Sequence, residues 1–371
     1  MRASLTLMAP MLPILSTYFH LSAMQASFLV SIPLICFASS SLLMGFISRA
    51  KSSDHIIAYA LTAFTVSIIL RAFTGLVGLF LFTVVVGICV AVLNYELPAW
   101  VKSYASNDAG MITGIYVTIM GVFSAIAVAI TVPLAEANRF SWKFAMAPWM
   151  AIGLASTAFW WRRARNISRS TQNIAPPFWR SAAFKSPVAW ALVIFFGMES
   201  ASFHASAAWL PTILTTKDFS LGHAAVMISI SGVIGSLVGL VVPHFVSKVR
   251  DQRGILLSVA AVTAISFFMI TVQSGPILLL WLILSNTGVS ISFPIALLLC
   301  GSKSSTPEGA RNVSTMMQSI GYVISALGPV AMGAIFDHSA NWNSAMYLVV
   351  ALVIGQLAMG AIIGKPSQIP E

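Results

Sequence analysis

Long runs of apolar residues, separated by short polar connections, set the pattern of this chain. A helix needs roughly 20 apolar residues to cross a bilayer. Runs near that length recur twelve times, at residues 3–18, 25–47, 56–73, 75–101, 110–134, 143–162, 188–214, 222–246, 254–273, 276–300, 312–335 and 343–363. The pattern therefore predicts twelve transmembrane helices, the first of them short.

The amino-acid composition agrees with a membrane protein. Of the 371 residues, 58% are hydrophobic and only 8% are charged, and the mean hydropathy is +0.90. One water-soluble core could not hide so many apolar side chains. We therefore expect an all-α integral membrane protein surrounded by the lipid bilayer.

The basic residues that give the chain its net charge of +10 lie mainly in the connections between the predicted helices. If both termini are cytoplasmic, fifteen of the twenty Lys and Arg residues fall on the cytoplasmic side. Arg2 lies inside the first segment, and the other side receives Arg71, Arg139, Lys143 and Lys217. Because positive residues are retained in cytoplasmic loops, we predict a multi-pass protein with both termini cytoplasmic. The charge is a topology signal and gives no reason to expect a nucleic-acid partner.

A polar segment interrupts the apolar pattern near the middle of the chain. Residues 163–187 are rich in basic, polar and proline residues, as a linker between two six-helix halves would be. We therefore predict an N-terminal half at 1–162, a cytoplasmic linker at 163–187 and a C-terminal half at 188–371.

The two predicted halves repeat one another at a nearly constant offset. Gly121 and Gly321 stand 200 positions apart, and each is followed 21 positions later by a tryptophan. The loops after the second and eighth segments carry matching basic residues, namely Arg49, Lys51, Lys248 and Arg250. A parallel duplication of two halves that face each other across a central cavity is typical of major facilitator transporters.

Ionisable residues inside the seventh segment are the clearest candidates for function. Glu199 and His204 interrupt an apolar run, where an ionisable side chain costs on the order of 2.5–3.5 kcal/mol on insertion scales. The repeat places Arg2 of the first segment one residue from the position of Glu199. We expect the three to line a substrate cavity between the halves. The alternative is that they join helices by hydrogen bonds.

The fourth segment carries another acid, Glu96. It lies two positions from Asn94, which directs the two side chains to roughly opposite sides of a helix. Glu96 is a candidate partner for Arg2 and, with Glu199, a candidate proton carrier. A structural pairing of Glu96 near the edge of the hydrocarbon is the alternative.

Further polar and aromatic residues are candidates for the same substrate cavity. They offer hydrogen bonds or stacking within the fourth, fifth and eleventh segments, with ordinary contacts between helices as the alternative. These residues are Asn94, Tyr116, Gln318 and Tyr322.

Several longer stretches resemble one family of transporters. They are SPVAWALVIFFGMESASFHASAAWLPTIL, VRDQRGI, the fourth segment with Asn94, Leu97-Pro98 and Lys102, and MQSIGYVISALGPVAMGAIFD followed by Asn341-Trp342. Together they are similar to the cyanate/2-nitroimidazole transporter family of the major facilitator superfamily, over essentially the whole chain. The resemblance implies a carrier of the bacterial cell inner membrane that moves small anions such as cyanate, or small nitroheterocycles, by alternating access.

The chain departs from that family at its ionisable residues and at its start. Family members usually carry an amide, an aromatic and an apolar residue where this chain has Glu199, His204 and Glu96, which favours proton coupling here. Arg2 matches the arginine of the family's first helix. The family and the internal repeat both place about ten more helical residues before that arginine. We expect either a misassigned start or a truncated, poorly active form.

The loop after the second segment is a candidate gate on the cytoplasmic side. In major facilitators this loop commonly combines glycine, an aspartate and basic residues. Here Gly45, Arg49 and Lys51 are present, but Ser48 stands where the acid is expected. We therefore name Arg49 and Lys51, with Lys248 and Arg250 of the repeated loop, as gating candidates with a degraded motif.

No motif in the sequence points to an enzyme. We find no Walker loop, no HExxH and no GxSxG, and the six His residues are scattered without metal-ligand spacing. We expect no metal and no cofactor, and a small-molecule substrate as partner. Two interpretations remain: a secondary carrier driven by an ion gradient, with protons as the candidate ion, or a non-transporting, inactive truncated membrane protein.

Overall fold

Each apolar run of the sequence forms a helix. The computed structural model describes residues 3–39, 53–104, 109–136, 142–165, 179, 181–246 and 248–369. Within them lie α1 (Ala3–Thr6), α2 (Met8–Phe19), α3 (Ala23–Ala38), α4 (Ser53–Phe73), α5 (Gly75–Tyr104), α6 (Ala109–Glu136), α7 (Lys143–Ala164), α8 (Pro187–Thr215), α9 (Leu221–Val246), α10 (Arg253–Val272), α11 (Leu278–Ser302), α12 (Pro307–Ser339) and α13 (Trp342–Ile363). A short 3-10 helix, Ala182–Lys185, precedes α8.

The helices reproduce the twelve predicted segments, with α1 and α2 together forming the first. Among the described residues, eight helices are long and apolar enough to cross a membrane, and Ala3–Phe19, Ala23–Ala38 and Ile119–Ala135 are shorter apolar stretches. The first segment is indeed short, since α8, its counterpart in the repeat, runs for 29 residues. A turn at Leu7 divides it.

Side-chain caps define where several of these helices begin. Ser22 and Gln25 form a capping box at the start of α3, in which each side chain bonds the other residue's backbone N–H. Ser186 and Thr306 cap α8 and α12, and proline follows directly in both. Such a cap stabilises a helix by about 1 kcal/mol. Residues close in sequence therefore determine where α3, α8 and α12 begin.

The helices pack into two bundles built on the same plan. In the first bundle, α4 packs against α5 and α7, and α3 packs against α5. In the second, α10 packs against α11 and α13, and α9 packs against α11. Each pairing in the second bundle lies six helices after its counterpart. The duplication in the sequence is thus also a duplication of packing.

Among the described residues, the main helix pairs that join the two bundles are α3 with α12, α6 with α9, and α2 with α8, and α3 also touches α8. Glycine allows the closest of these approaches, since a Cβ on Gly333 of α12 would lie 2.7 Å from the backbone oxygen of Ala23 in α3. Small residues at helix contacts let backbones meet in this way.

The contacts between the bundles concentrate at one end of the molecule. We call the end opposite both chain termini the distal end, and the other the terminal end. In the described parts of the chain, hydrogen bonds between the bundles join Ala23 and Met24 to Asp337, Ser27 to Pro329 and Trp209, and Ser229 to Ala125. All of these residues lie in the distal halves of their helices. The structure is therefore closed between the bundles at its distal end.

Candidate functional site

The middle of α8 holds a carboxylate and an imidazole, Glu199 and His204. Glu199 is only 3% exposed, and His204, about one turn further along, is half-buried. Glycines bring α8 and α12 together, because a Cβ on Gly328 of α12 would lie 2.7 Å from the backbone oxygen of Ala201. His204 therefore lies on the side of α8 that faces α12, whereas Glu199, five residues away, points to a different side of the helix.

Hydrogen bonds fix the tautomer of His204. Its Nδ1 lies 2.7 Å from the backbone oxygen of Ser200, and a carbonyl oxygen can only accept a hydrogen bond. Nδ1 therefore carries a hydrogen, and Nε2 is the ring nitrogen that can take up a proton. The Ser325 hydroxyl of α12 lies 3.1 Å from Nδ1 and donates to the Ser200 hydroxyl over 2.9 Å. A polar network thus joins α8 to α12 at His204.

Tyr322 extends this contact to the other bundle. Its ring meets Phe196 of α8 at a centroid distance of 5.2 Å and Phe37 of α3 at 5.5 Å. Both pairs are edge-to-face, a favoured arrangement of aromatic rings. Gln318, one turn before Tyr322, donates from Nε2 to the Ser314 hydroxyl over 3.1 Å. Tyr322 therefore lies where α8, α12 and α3 meet.

The candidates on α5 form a separate group. Asn94 is exposed and Glu96 is fully buried, as their predicted opposite orientation requires. The Ser53 side chain at the start of α4 lies beside the carboxylate of Glu96. Among the described residues, no hydrogen bond joins Asn94 or Glu96 to α8 or α12. The structure therefore does not place Glu96 with Glu199.

Some candidates cannot be located. Arg2, Arg49 and Lys51, and the side chain of Tyr116, lie outside the described residues. Lys248 and Arg250 are exposed in the loop between α9 and α10, at the terminal end. The ammonium of Lys248 lies 5.9 Å from the centroid of the Phe245 ring.

The described polar network of His204 lies in a contact between helices and not in either of the cavities described next. In the described parts of the chain, cavities of about 630 and 510 Å³ occur elsewhere. The first lies at the terminal end beside Thr306 and Ile369, and the second inside the first bundle beside Ser4 and Trp149. Neither is lined by Glu199, His204 or Tyr322.

Arg71, which the charge count placed on the non-cytoplasmic side, lies inside the last turn of α4. It is fully buried near the distal end of α4, and its Nη2 donates to the Ser4 backbone oxygen over 3.1 Å. Among the described residues, Nε and Nη1 have no partner. The sequence held a signal, because the apolar run SIIL leads directly into Arg71. The long side chain reaches inward to a backbone carbonyl of α1.

Asp54 was not among the sequence candidates either. It is buried near the start of α4, where its carboxylate accepts from Trp100 over 3.0 Å and pairs with Arg163 over 3.1 Å. The Trp160 indole donates to its backbone oxygen over 3.0 Å. These partners come from α5 and α7, so Asp54 joins three helices.

Two duplicated helical bundles, with ionisable residues buried inside their helices, define a class of membrane transporter. In such proteins the bundles move relative to one another around a site between them. Intramembrane ionisable residues usually belong to solute or ion pathways.

The chain belongs to the Major Facilitator Superfamily, whose sequence profile matches residues 1–329. It is 28% identical to the uncharacterized transporter YycB of Bacillus subtilis (strain 168), covering 97% of this chain and 90% of that protein. It is also 28% identical to the 2-nitroimidazole transporter of Escherichia coli (strain K12), covering 100% of this chain and 93% of that protein.

A solved structure supports the same fold. A bacterial homologue of the human lysosomal transporter Spinster, in an inward-facing and unoccupied conformation, superposes with a TM-score of 0.81 at 14% identity. The match covers 98% of this chain and 94% of that one. The relatives and structural neighbours are transporters, so the protein is a major facilitator transporter and not an enzyme.

Proposed function

We propose that the protein is a secondary active transporter that moves a small solute by alternating access. The observation that carries this proposal is the pair of ionisable residues in the middle of α8. Glu199 is buried, and His204 lies in the contact with α12, whose Tyr322 reaches the other bundle. A membrane helix accepts such residues at a cost of a few kcal/mol when they serve an ion or solute pathway. Two bundles joined mainly at the distal end provide the moving parts.

The substrate binds between the bundles at approximately the depth of Glu199. Arg2 supplies the positive charge. Protonation of Glu199 or Glu96 shifts the equilibrium between the inward-facing and outward-facing conformations. His204 binds protons or substrate through Nε2. The proposed site comprises Arg2, Asn94, Tyr116, Glu199, His204, Gln318 and Tyr322.

The substrate is a small anion such as cyanate or a 2-nitroimidazole-like organic molecule. The similarity to the 2-nitroimidazole transporter supports this class, as does the resemblance of the sequence to the cyanate/2-nitroimidazole family. An arginine guanidinium suits both a cyanate-like anion and a nitro group, because it offers several donors in one plane.

The proposed topology places both termini in the cytoplasm of a bacterial inner membrane. The excess of Lys and Arg in the loops of the terminal end supports this orientation. The linker 163–187 then connects the halves 1–162 and 188–371 on the cytoplasmic side. Gating residues lie on that side too, namely Arg49, Lys51, Lys248 and Arg250.

Counterflow in proteoliposomes tests the proposal. Vesicles preloaded with unlabelled 2-nitroimidazole or cyanate should take up the labelled compound transiently, and protein-free vesicles should not. Counterflow needs no driving gradient, so it reports movement of substrate directly. If neither compound gives counterflow, the alternative of a non-transporting, inactive membrane protein takes the place of this proposal.

Glu199→Gln tests the proton-coupling role. The amide keeps the shape of the side chain but cannot ionise, so we expect uptake to lose the part of its pH dependence that Glu199 supplies. Glu308→Gln is the matched control, because Glu308 is exposed and pairs with Arg311 on its own helix. If Glu199→Gln leaves both the transport rate and its pH profile unchanged, Glu199 is a structural residue.

A further inference from the structure

The N-terminus of α3 is capped from the opposite bundle. The two carboxylate oxygens of Asp337, near the end of α12, accept hydrogen bonds from successive backbone N–H groups of α3. Ala23 N–H donates to Oδ1 over 3.0 Å, and Met24 N–H donates to Oδ2 over 2.9 Å. One acidic side chain thus ties the two bundles together at the distal end.

The remaining donors of this first turn are satisfied within α3 itself. Gln25 N–H donates to the Ser22 hydroxyl over 3.2 Å, and Ser22 N–H donates to the Gln25 side chain over 3.0 Å. Only the N–H groups of Ala23 and Met24 depend on the other bundle. Separation of the bundles at this end therefore exposes two backbone donors and removes a negative charge from the positive end of a helix dipole.

Neighbouring contacts hold Asp337 in register with α3. Gly333 lies one turn before Asp337, and a Cβ there would come within 2.7 Å of the Ala23 backbone oxygen. One turn earlier again, the Pro329 backbone oxygen accepts from the Ser27 hydroxyl over 2.8 Å. Asp337 is itself exposed, so its bonds can break and re-form at little cost in desolvation.

We propose that Asp337 is a latch that stabilises the conformation closed at the distal end. It acts by capping α3 in that conformation and releases α3 when the bundles separate. Its loss shifts the conformational equilibrium toward the distally open state without removing any part of the substrate site. The inference goes beyond the proposed function, although it rests on the same motion of two bundles.

Spin-label distances measured on the purified full-length protein test the latch directly. Labels on cysteines at Thr74 and Ser274 report the opening, because these exposed positions lie in distal loops of the two bundles. The natural residues Cys36, Cys89 and Cys300 are buried and are replaced in the background. We expect Asp337→Asn to raise the distally open fraction about twofold to fivefold, the usual size of a charge effect at a helix end.

Asp218→Asn is the matched control. Asp218 is an exposed acid in the distal loop between α8 and α9, and its positive φ of 68° is one that asparagine also tolerates. Asp337→Glu restores the charge on a longer side chain and should return part of the closed population. The latch is refuted if Asp337→Asn gives the parent distance distribution, or if Asp218→Asn shifts it equally.

The outcome separates the latch from the transport proposal. If Asp337→Asn shifts the distances but the parent protein shows no counterflow, the latch stands and the proposed function fails. If the parent protein transports and the distances do not move, the latch fails alone. A melting temperature of Asp337→Asn close to that of the parent excludes general unfolding as the cause of a shift.

Discussion

Asp54 shows how a single buried side chain joins three helices at the terminal end of the first bundle. Its carboxylate accepts from the Trp100 indole and pairs with the Arg163 guanidinium. That guanidinium carbon also lies 4.8 Å from the centroid of the Trp100 ring. The guanidinium, the indole ring and the carboxylate therefore stabilise one another. A substitution that changes only the charge of Asp54 affects all three groups.

We expect Asp54→Asn to destabilise the protein by about 1–3 kcal/mol, the range for a hydrogen bond to a charged group. The amide can still accept from Trp100 but loses the ion pair with Arg163. The melting temperature in detergent measures the effect. Glu308→Gln, which breaks an exposed pair on one helix, should change it little. Equal melting temperatures for Asp54→Asn and the parent would contradict the expectation.

For single residues, the sequence predicted which side of a helix a side chain occupies, but not which residues it contacts. The opposite faces of Asn94 and Glu96 follow from the helical repeat of about 100° per residue. The contact of His204 with Ser325 depends on how far α8 and α12 are shifted along each other, which no local pattern encodes. The burial of Arg71 depends on the Ser4 carbonyl of α1, which charge counting does not consider.

The contact between α8 and α12 depends on glycine. Gly321 approaches Phe196, and Gly328 approaches the backbone of Ala201. In α11, a Cβ on Gly301 would meet nothing within 4 Å. Two kinds of helical glycine therefore occur, one required by a neighbouring helix and one with open space around it.

We expect Gly328→Ala to cost about 1–3 kcal/mol, because the added methyl group forces the helix backbones apart. Gly301→Ala should be neutral or stabilise by up to about 1 kcal/mol through better helix propensity. Thermal unfolding of both variants measures the difference. The packing argument fails if the two substitutions have the same effect.

The existence and order of the helices were predictable from the sequence, because a bilayer imposes a length on every apolar segment. Helix ends and caps were predictable only in part. The capping of α3 by Asp337 joins positions more than three hundred residues apart. It becomes visible only once the two bundles are placed together.

For the molecule as a whole, few polar bonds hold the two bundles together among the described residues. Besides Asp337, the Trp209 indole of α8 donates to the Ser27 hydroxyl of α3 over 3.2 Å. The hydrogen bonds of Asp337 and of Trp209 all lie near the distal end, and all must break if the bundles separate there. They therefore act on the same conformational equilibrium from different helices.

We expect Trp209→Phe to raise the distally open fraction as Asp337→Asn does. Phenylalanine keeps an aromatic ring beside Trp342, whose centroid lies 4.7 Å from that of Trp209, but donates no hydrogen bond. Separate contacts acting on one equilibrium should contribute additive free energies in the double variant. The same spin-label distances provide the measurement. A double variant no more open than either single one would show that the contacts are not independent.

The bare backbone of Gly333 has a consequence for the speed of the motion. Where α12 meets α3 at this residue, one surface carries no side chain, and so it has no rotamers to rearrange as the helices slide. Internal friction at such a contact is low. We therefore expect this contact to add little to the barrier that the bundles cross when they move, so that the bonds of Asp337 and Trp209 contribute more of it.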